Sequence, residues 1–165
     1  RSLQAEDELN QLLAALKFCQ NDLSNQHNKY VPIVLKIAPD LDENQIIAIA
    51  KAVRFHQIDG VIATNTTIDK SSLGHHPLSK ETGGLSGKPL KNKANEVLSI
   101  LSKHLNPPNE FIIPIIGVGG ISSGEDALEK IQNGASAVQI YSGLIYRGPQ
   151  LVRECIHYIQ KKSSV

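Results

Sequence analysis

Four stretches of this chain close an apolar run with residues able to do chemistry: Lys36-Ile-Ala-Pro-Asp40, Thr64-Asn65-Thr66-Thr67, Gly117-Val-Gly-Gly120 and Tyr141-Ser142-Gly143. Gly119 and Gly120 let backbone amides come close to an anion, and a helix starting after Ser122 would aim its free N–H groups at the same point. Ser142 and Gly143 add a hydroxyl and further amides. The two glycine-bearing ends together make a phosphate cradle. Asn65 offers a donor and an acceptor side by side, which suits a planar ring with adjacent N–H and C=O groups, although Asn after a strand also serves as a turn residue. Lys36 ends the run "VPIVLKIAPD", whose Val31, Ile33, Val34, Leu35 and Ile37 mark a buried strand. A buried ammonium costs several kcal/mol unless it meets a negative charge, so Lys36 either faces one or snorkels to water along its own stem.

The elements that carry these ends follow one order. Leu9, Leu12, Leu13, Leu16 and Leu23 form a helical stripe behind the acidic Glu6, Asp7 and Glu8. A strand at 31–37 follows, then a helix capped by Asp42 with Ile46, Ile49, Ala50 and Val53 on one face. "IDGVIATN" (58–65) is a second strand. Ala94, Val97, Leu98, Leu101 and Leu105 mark a helix stopped by Pro107-Pro108. "FIIPIIGVGG" (111–120) is a third strand, followed by a helix with a Ser122–Glu125 capping box and an Asn133-Gly134 stop. "ASAVQIYSG" (135–143) is the last strand, and Gly148-Pro149 opens the final helix.

The order α-βα-βα-βα-βα, with strands apolar on both faces, is that of a parallel sheet covered by helices. Doubly wound sheets and (β/α)8 barrels share it. Polar and glycine residues gather at the carboxyl ends of the strands, where barrels keep their active face, and the cradle sits in the last two loops, as in phosphate-binding barrels. We read residues 1–165 as the carboxyl-terminal half of a (β/α)8 TIM barrel. Four strands cannot close such a ring.

Composition narrows the function further. The 165 residues carry 17 basic and 16 acidic side chains with no long basic block, which excludes a nucleic-acid surface. No apolar stretch reaches the roughly 18–20 residues of a membrane span. Cys19 and Cys155 lie far apart on helical patterns and are expected to be packed thiols in a reducing compartment. His75-His76 lacks a third ligand at a sensible spacing, so no metal site is expected. The chain has no methionine and opens at Arg1, so it is expected to be a piece of something longer. Segment 66–90 is too long for an ordinary connection; its 68–80 portion reads as a lid or as disorder. The glycines of "ETGGLSGKPL" are spaced for a backbone that comes close to a ligand.

"KIAPDL", "IDGVIATNTT", "TGGLSGKPL", "IIGVGGI" and "GASAVQIYSGLIYRGP", in that order and spacing, resemble the carboxyl-terminal half of dihydroorotate dehydrogenase of the quinone-using, membrane-associated class. The resemblance implies FMN-dependent oxidation of dihydroorotate to orotate with a quinone as acceptor, in de novo pyrimidine synthesis. It implies FMN contacts from Lys36, Thr64, Gly87, Gly120, Tyr141 and Ser142, with Asn65 and Thr66 on the pyrimidine ring. Lys36 would lie against the flavin near N1 and the C2 carbonyl, as counter-charge to the reduced ring. The catalytic base, a serine that takes the C5 proton while hydride leaves C6, belongs upstream of Arg1. So do the helices that meet quinone and the cytoplasmic side of the inner membrane, where the enzyme would sit peripherally. Without the resemblance the residues stop at half of a phosphate-binding barrel. A non-redox barrel enzyme, or an inactive fragment acting only as folding partner for its missing half, then stays open.

Overall fold

The computed structural model describes residues 6–163. Helix α1 (Glu6–His27) leads into β1 (Val34–Ile37), α2 (Glu43–Phe55), β2 (Gly60–Ala63), α3 (Lys91–Leu105), β3 (Ile115–Val118), α4 (Gly124–Gln132), β4 (Ala137–Gln139), α5 (Ser142–Arg147) and α6 (Gln150–Ser163). The four strands pair in parallel in the order β1-β2-β3-β4, each beside its sequence neighbour. A doubly wound sheet reverses this order at a switch point and carries helices on both faces. Among the described residues neither feature is present. The sheet is barrel-wound.

Its two faces differ, which corrects the expectation of strands buried on both sides. Ile37, Val61, Ala63 and Ile115 pack on Ile46, Ile49 and Val53 of α2 and on Leu98, Leu101 and Leu105 of α3. Each such buried aliphatic side chain stabilises the fold by roughly 1.5–3 kcal/mol. On the opposite face the register aligns Lys36, Ile62, Ile116 and Ala137 in one row, and all four are exposed or half-buried. Side chains alternate along a strand, so one covered and one open face is what part of a ring presents.

The strands are shorter than the apolar runs. Residues 31–33, 111–114 and 140–141 lie outside them, and Phe111 and Ile112 are exposed. Local bonds hold these ends instead: Asn106 pairs both ways with Ile113 (2.8 and 3.0 Å), and Arg54 donates to the carbonyls of Leu105 (2.6 Å) and Phe111 (3.1 Å). The α1 stripe leaves the core after Leu13; Leu16 and Leu23 are exposed. Gln20 returns to the interior and donates to the Val31 carbonyl (2.7 Å) and Asp59 (3.2 Å). Cys155 is buried with Leu151 and Ala127, whereas Cys19 is exposed rather than packed.

Asp42 caps α2 through a box with Gln45, each accepting from the other's amide at 2.9 Å. The α4 cap is one residue later than expected. Ser123, not Ser122, accepts from the N3 amide of Asp126, because the Ser122 amide and hydroxyl are both taken by the Asp126 carboxylate (2.9 Å each). Helix α5 interrupts the last strand-to-helix connection, starting where the apolar run predicts that the strand continues to 143. Segment 66–90 holds three short 3-10 turns, and an antiparallel bridge between Thr67 and Leu85 closes its base.

Candidate functional site

A cleft of about 350 Å³ opens at the carboxyl ends of the strands. All eight side chains and glycines singled out from the sequence line it: Lys36 from β1, Thr64 to Thr66 after β2, Gly87 before α3, Gly120 after β3, and Tyr141 with Ser142 after β4.

The polar segment after β2 is held from both sides. The Thr64 amide donates to Val118 (3.0 Å) and the Asn65 amide to Ile37 (2.7 Å), so this backbone is wedged between the ends of β1 and β3. Thr64 is buried, and its hydroxyl donates to the Asn65 carbonyl (3.0 Å). Asn65 Oδ1 accepts from the Thr66 amide (2.9 Å), which holds its side chain, and the residue lines the cleft.

On the other side glycines allow close approach. Gly120 has φ of +79°, and a β-carbon there would fall 2.4 Å from Lys91 Cα, so no other residue fits. Gly87, at φ +77°, precedes the 3-10 turn that enters α3. Ser142 begins α5, and its hydroxyl lies 2.9 Å from that of Ser86. Gly143 seats α5 on the Ile121 carbonyl, which a β-carbon would approach to 2.2 Å. The arrangement brings amides and two hydroxyls to one mouth, a donor set suited to an anion.

Lys36 is exposed rather than buried, which corrects its expected environment. It sits on the open face of the edge strand β1, so no second layer covers it. Among the described residues its ammonium meets no carboxylate. Ser86 and Gln139 also line the cleft and were missed from the sequence. Ser86 lies within "TGGLSGKPL", already marked for close backbone approach; Gln139 betrays itself only as a polar residue on the open face of β4.

Behind the cleft lies a charged network between α3 and α4. Lys91 sits 2.7 Å from both Asp126 and Glu129, and Glu129 accepts from Asn95 (2.8 Å). Burial raises the Asp126 pKa, but hydrogen bonds from Lys91, Ser122 and Ser123 outweigh it and hold the carboxyl at about 2. Lys130 is 1% exposed and donates to Asn95; burial, only partly offset by Glu129, draws its pKa down to about 8. Among the described residues no three His, Cys, Asp or Glu side chains gather as metal ligands, and no helix is long and apolar enough to cross a membrane.

Sequential parallel strands, one open face, and a glycine-lined cleft at the strand ends define half of a (β/α)8 barrel enzyme. Comparison with known proteins narrows this class. A family model for dihydroorotate dehydrogenase matches residues 1–162, and the chain belongs to that family. The dihydroorotate dehydrogenase (quinone) of Neisseria meningitidis serogroup C is 57% identical over 163 residues, covering 99% of this chain and 47% of the relative. That of Chromobacterium violaceum is 56% identical over 155 residues, covering 94% and 44%. The solved structure of the Eimeria tenella enzyme in complex with ferulenol superposes with a TM-score of 0.87 at 33% identity, over 97% of this chain and 45% of that one. The chain thus spans about half the length of the relatives it matches.

Proposed function

We propose that this chain supplies the cofactor- and substrate-binding half of a quinone-dependent dihydroorotate dehydrogenase, which oxidises dihydroorotate to orotate in de novo pyrimidine synthesis. The observation that carries this reading is convergence: eight residues spread from 36 to 142 line one cleft at the ends of four adjacent strands.

The residues present fit FMN. Gly87, Gly120 and the opening amide of α5, with the Ser142 hydroxyl, form a donor-rich pocket for the phosphate end; Tyr141 flanks it. Thr64 lies between this pocket and Lys36. FMN, when bound, supplies the two-electron acceptor for hydride from the substrate. Lys36 supplies a positive charge at the cleft, complementary to negative charge that develops during transfer. It acts electrostatically, not as a base. Asn65 and Thr66 hold the planar substrate by paired donor and acceptor groups, so that one ring face is presented to the cofactor. The proton is taken by a serine outside this chain, and contact with quinone and the inner membrane is made by segments outside it as well. By this reading the 165 residues alone do not turn over.

The test is the full-length protein's visible spectrum. A flavin band that bleaches anaerobically on adding dihydroorotate is expected. A colourless active enzyme would establish the non-redox barrel instead.

A further inference from the structure

Lys91 and Lys93 stand in the first turn of α3, where the helix dipole disfavours cations. Contacts outside the helix compensate, and they run in opposite directions. Lys91 reaches Asp126, which accepts from the Ser122 amide and hydroxyl and so pins the end of the glycine turn after β3. That turn also rests on the helix itself, since β-carbons at Gly120 and Gly119 would lie 2.4 Å from Lys91 Cα and 3.0 Å from Leu90. Lys93 reaches Asp40 at 2.9 Å. Asp40 accepts from the Thr67 hydroxyl and from the Ile68 amide (2.9 Å), fixing the backbone next to Asn65 and Thr66. Lys93 does not line the cleft, and Lys91 lines only the cavity that adjoins it beyond Gly87, Gly120 and Ser142.

We infer that the first turn of α3 is a two-armed positioning clamp: Lys91 registers the turn that holds the cofactor's phosphate, and Lys93 registers the loop that holds the substrate ring. The inference rests on the function proposed above. Hydride transfer needs its reacting atoms about 3–3.5 Å apart, and an error of about 1 Å costs on the order of a hundredfold. The two partners are held by loops from different strands, and this turn is joined to both by ion pairs.

The test uses the full-length holoenzyme, because the two arms predict different losses. In Lys91→Met, FMN affinity should fall at least about tenfold, while KM for dihydroorotate in FMN-saturated enzyme stays within about twofold. In Lys93→Met, FMN content should remain stoichiometric while kcat/KM for dihydroorotate falls at least about tenfold. Lys91→Arg and Lys93→Arg should each restore most of the loss. If a Met variant is insoluble, Asp126→Asn and Asp40→Asn should give the same split. Equal damage to both readouts in both variants, no damage in either, or Arg variants as impaired as Met would overturn the clamp. A colourless parent enzyme would sink the functional reading and the clamp with it, whereas a flavin-loaded parent whose variants fail to split would sink the clamp alone.

Discussion

A β-carbon added to Gly84 would lie 2.0 Å from the hydroxyl oxygen of Thr66. The glycine of "TGGLSGKPL" is therefore a matter of room: its backbone is packed against a side chain proposed to touch the substrate. Gly84→Ala must displace Thr66 or the loop that carries it. We expect KM for dihydroorotate to rise about tenfold or more in the full-length enzyme, with FMN content unchanged. Steady-state kinetics alongside a flavin-to-protein absorbance ratio would decide this; an unaltered KM would remove Thr66 from the substrate site.

Lys36 is exposed in this chain and belongs to neither buried apolar cluster, so its removal leaves both untouched. Loss of a preorganised charge at a reacting centre costs about 10²–10³ in rate. Lys36→Ala should therefore slow flavin reduction by about that factor, or strip the flavin, with a thermal midpoint close to the parent's. Anaerobic stopped-flow absorbance gives the rate. Normal flavin content with normal reduction would exclude the electrostatic role.

Lys130 makes an unusual prediction about alkaline pH. Its folded pKa of about 8 lies below the ordinary 10.5. Between these values the unfolded chain binds more protons than the folded one, so this group makes stability rise with pH across that window. Lys91, whose carboxylate partners raise its pKa, contributes no opposing slope until higher pH. Lys130→Met should abolish a gain of about 2 kcal/mol between pH 8 and 10. Urea midpoints of both proteins at the two pH values would show it, and parallel pH profiles would refute it.

Asp59 ties the α1–β1 connection to β2. It accepts from the Tyr30 hydroxyl (2.5 Å), the Ile33 amide (2.7 Å) and Gln20 (3.2 Å). Burial opposes its ionisation, yet these bonds prevail and hold its pKa below the usual value. The stability it lends is complete above the ordinary carboxylate range and is lost as pH falls through the depressed value. Asp59→Asn should cost about 1–3 kcal/mol at pH 7 and flatten this acid-side decline. Thermal melts at pH 7 and pH 3 provide the comparison.

What the chain disclosed in advance followed from local rules. The Asp42 cap, the α2 and α3 stripes, and the gathering of glycine and polar residues at strand ends are short-range signals; the individual cofactor and substrate contacts came from the family resemblance, and the structure shows only that those residues line one cleft. What stayed hidden depends on contacts that the local pattern leaves open. The one-residue shift of the α4 cap is decided by Asp126 capturing Ser122, an interaction tied to Lys91 on another helix. Leu16 and Leu23 keep helical spacing although the stripe has already left the core. Lys36 looked buried because β1 is apolar around it, and spacing alone cannot say that one face of the sheet lacks a covering layer. Helix α5 was hidden by the apolar continuity of "AVQIYSGLIY". Lys91 and Lys93 did carry a clue: two cations in a helix's first turn break a local preference and call for outside partners.

The contact between Gly120 and the backbone of Lys91 also limits how the barrel could be re-engineered. Swapping the turn after β3 for one with a different ligand preference would bring new side chains against a helix that has no slack to receive them. A transplant has to carry the turn and the opening of α3 together, as a single cassette, or the graft will be rejected at its seam.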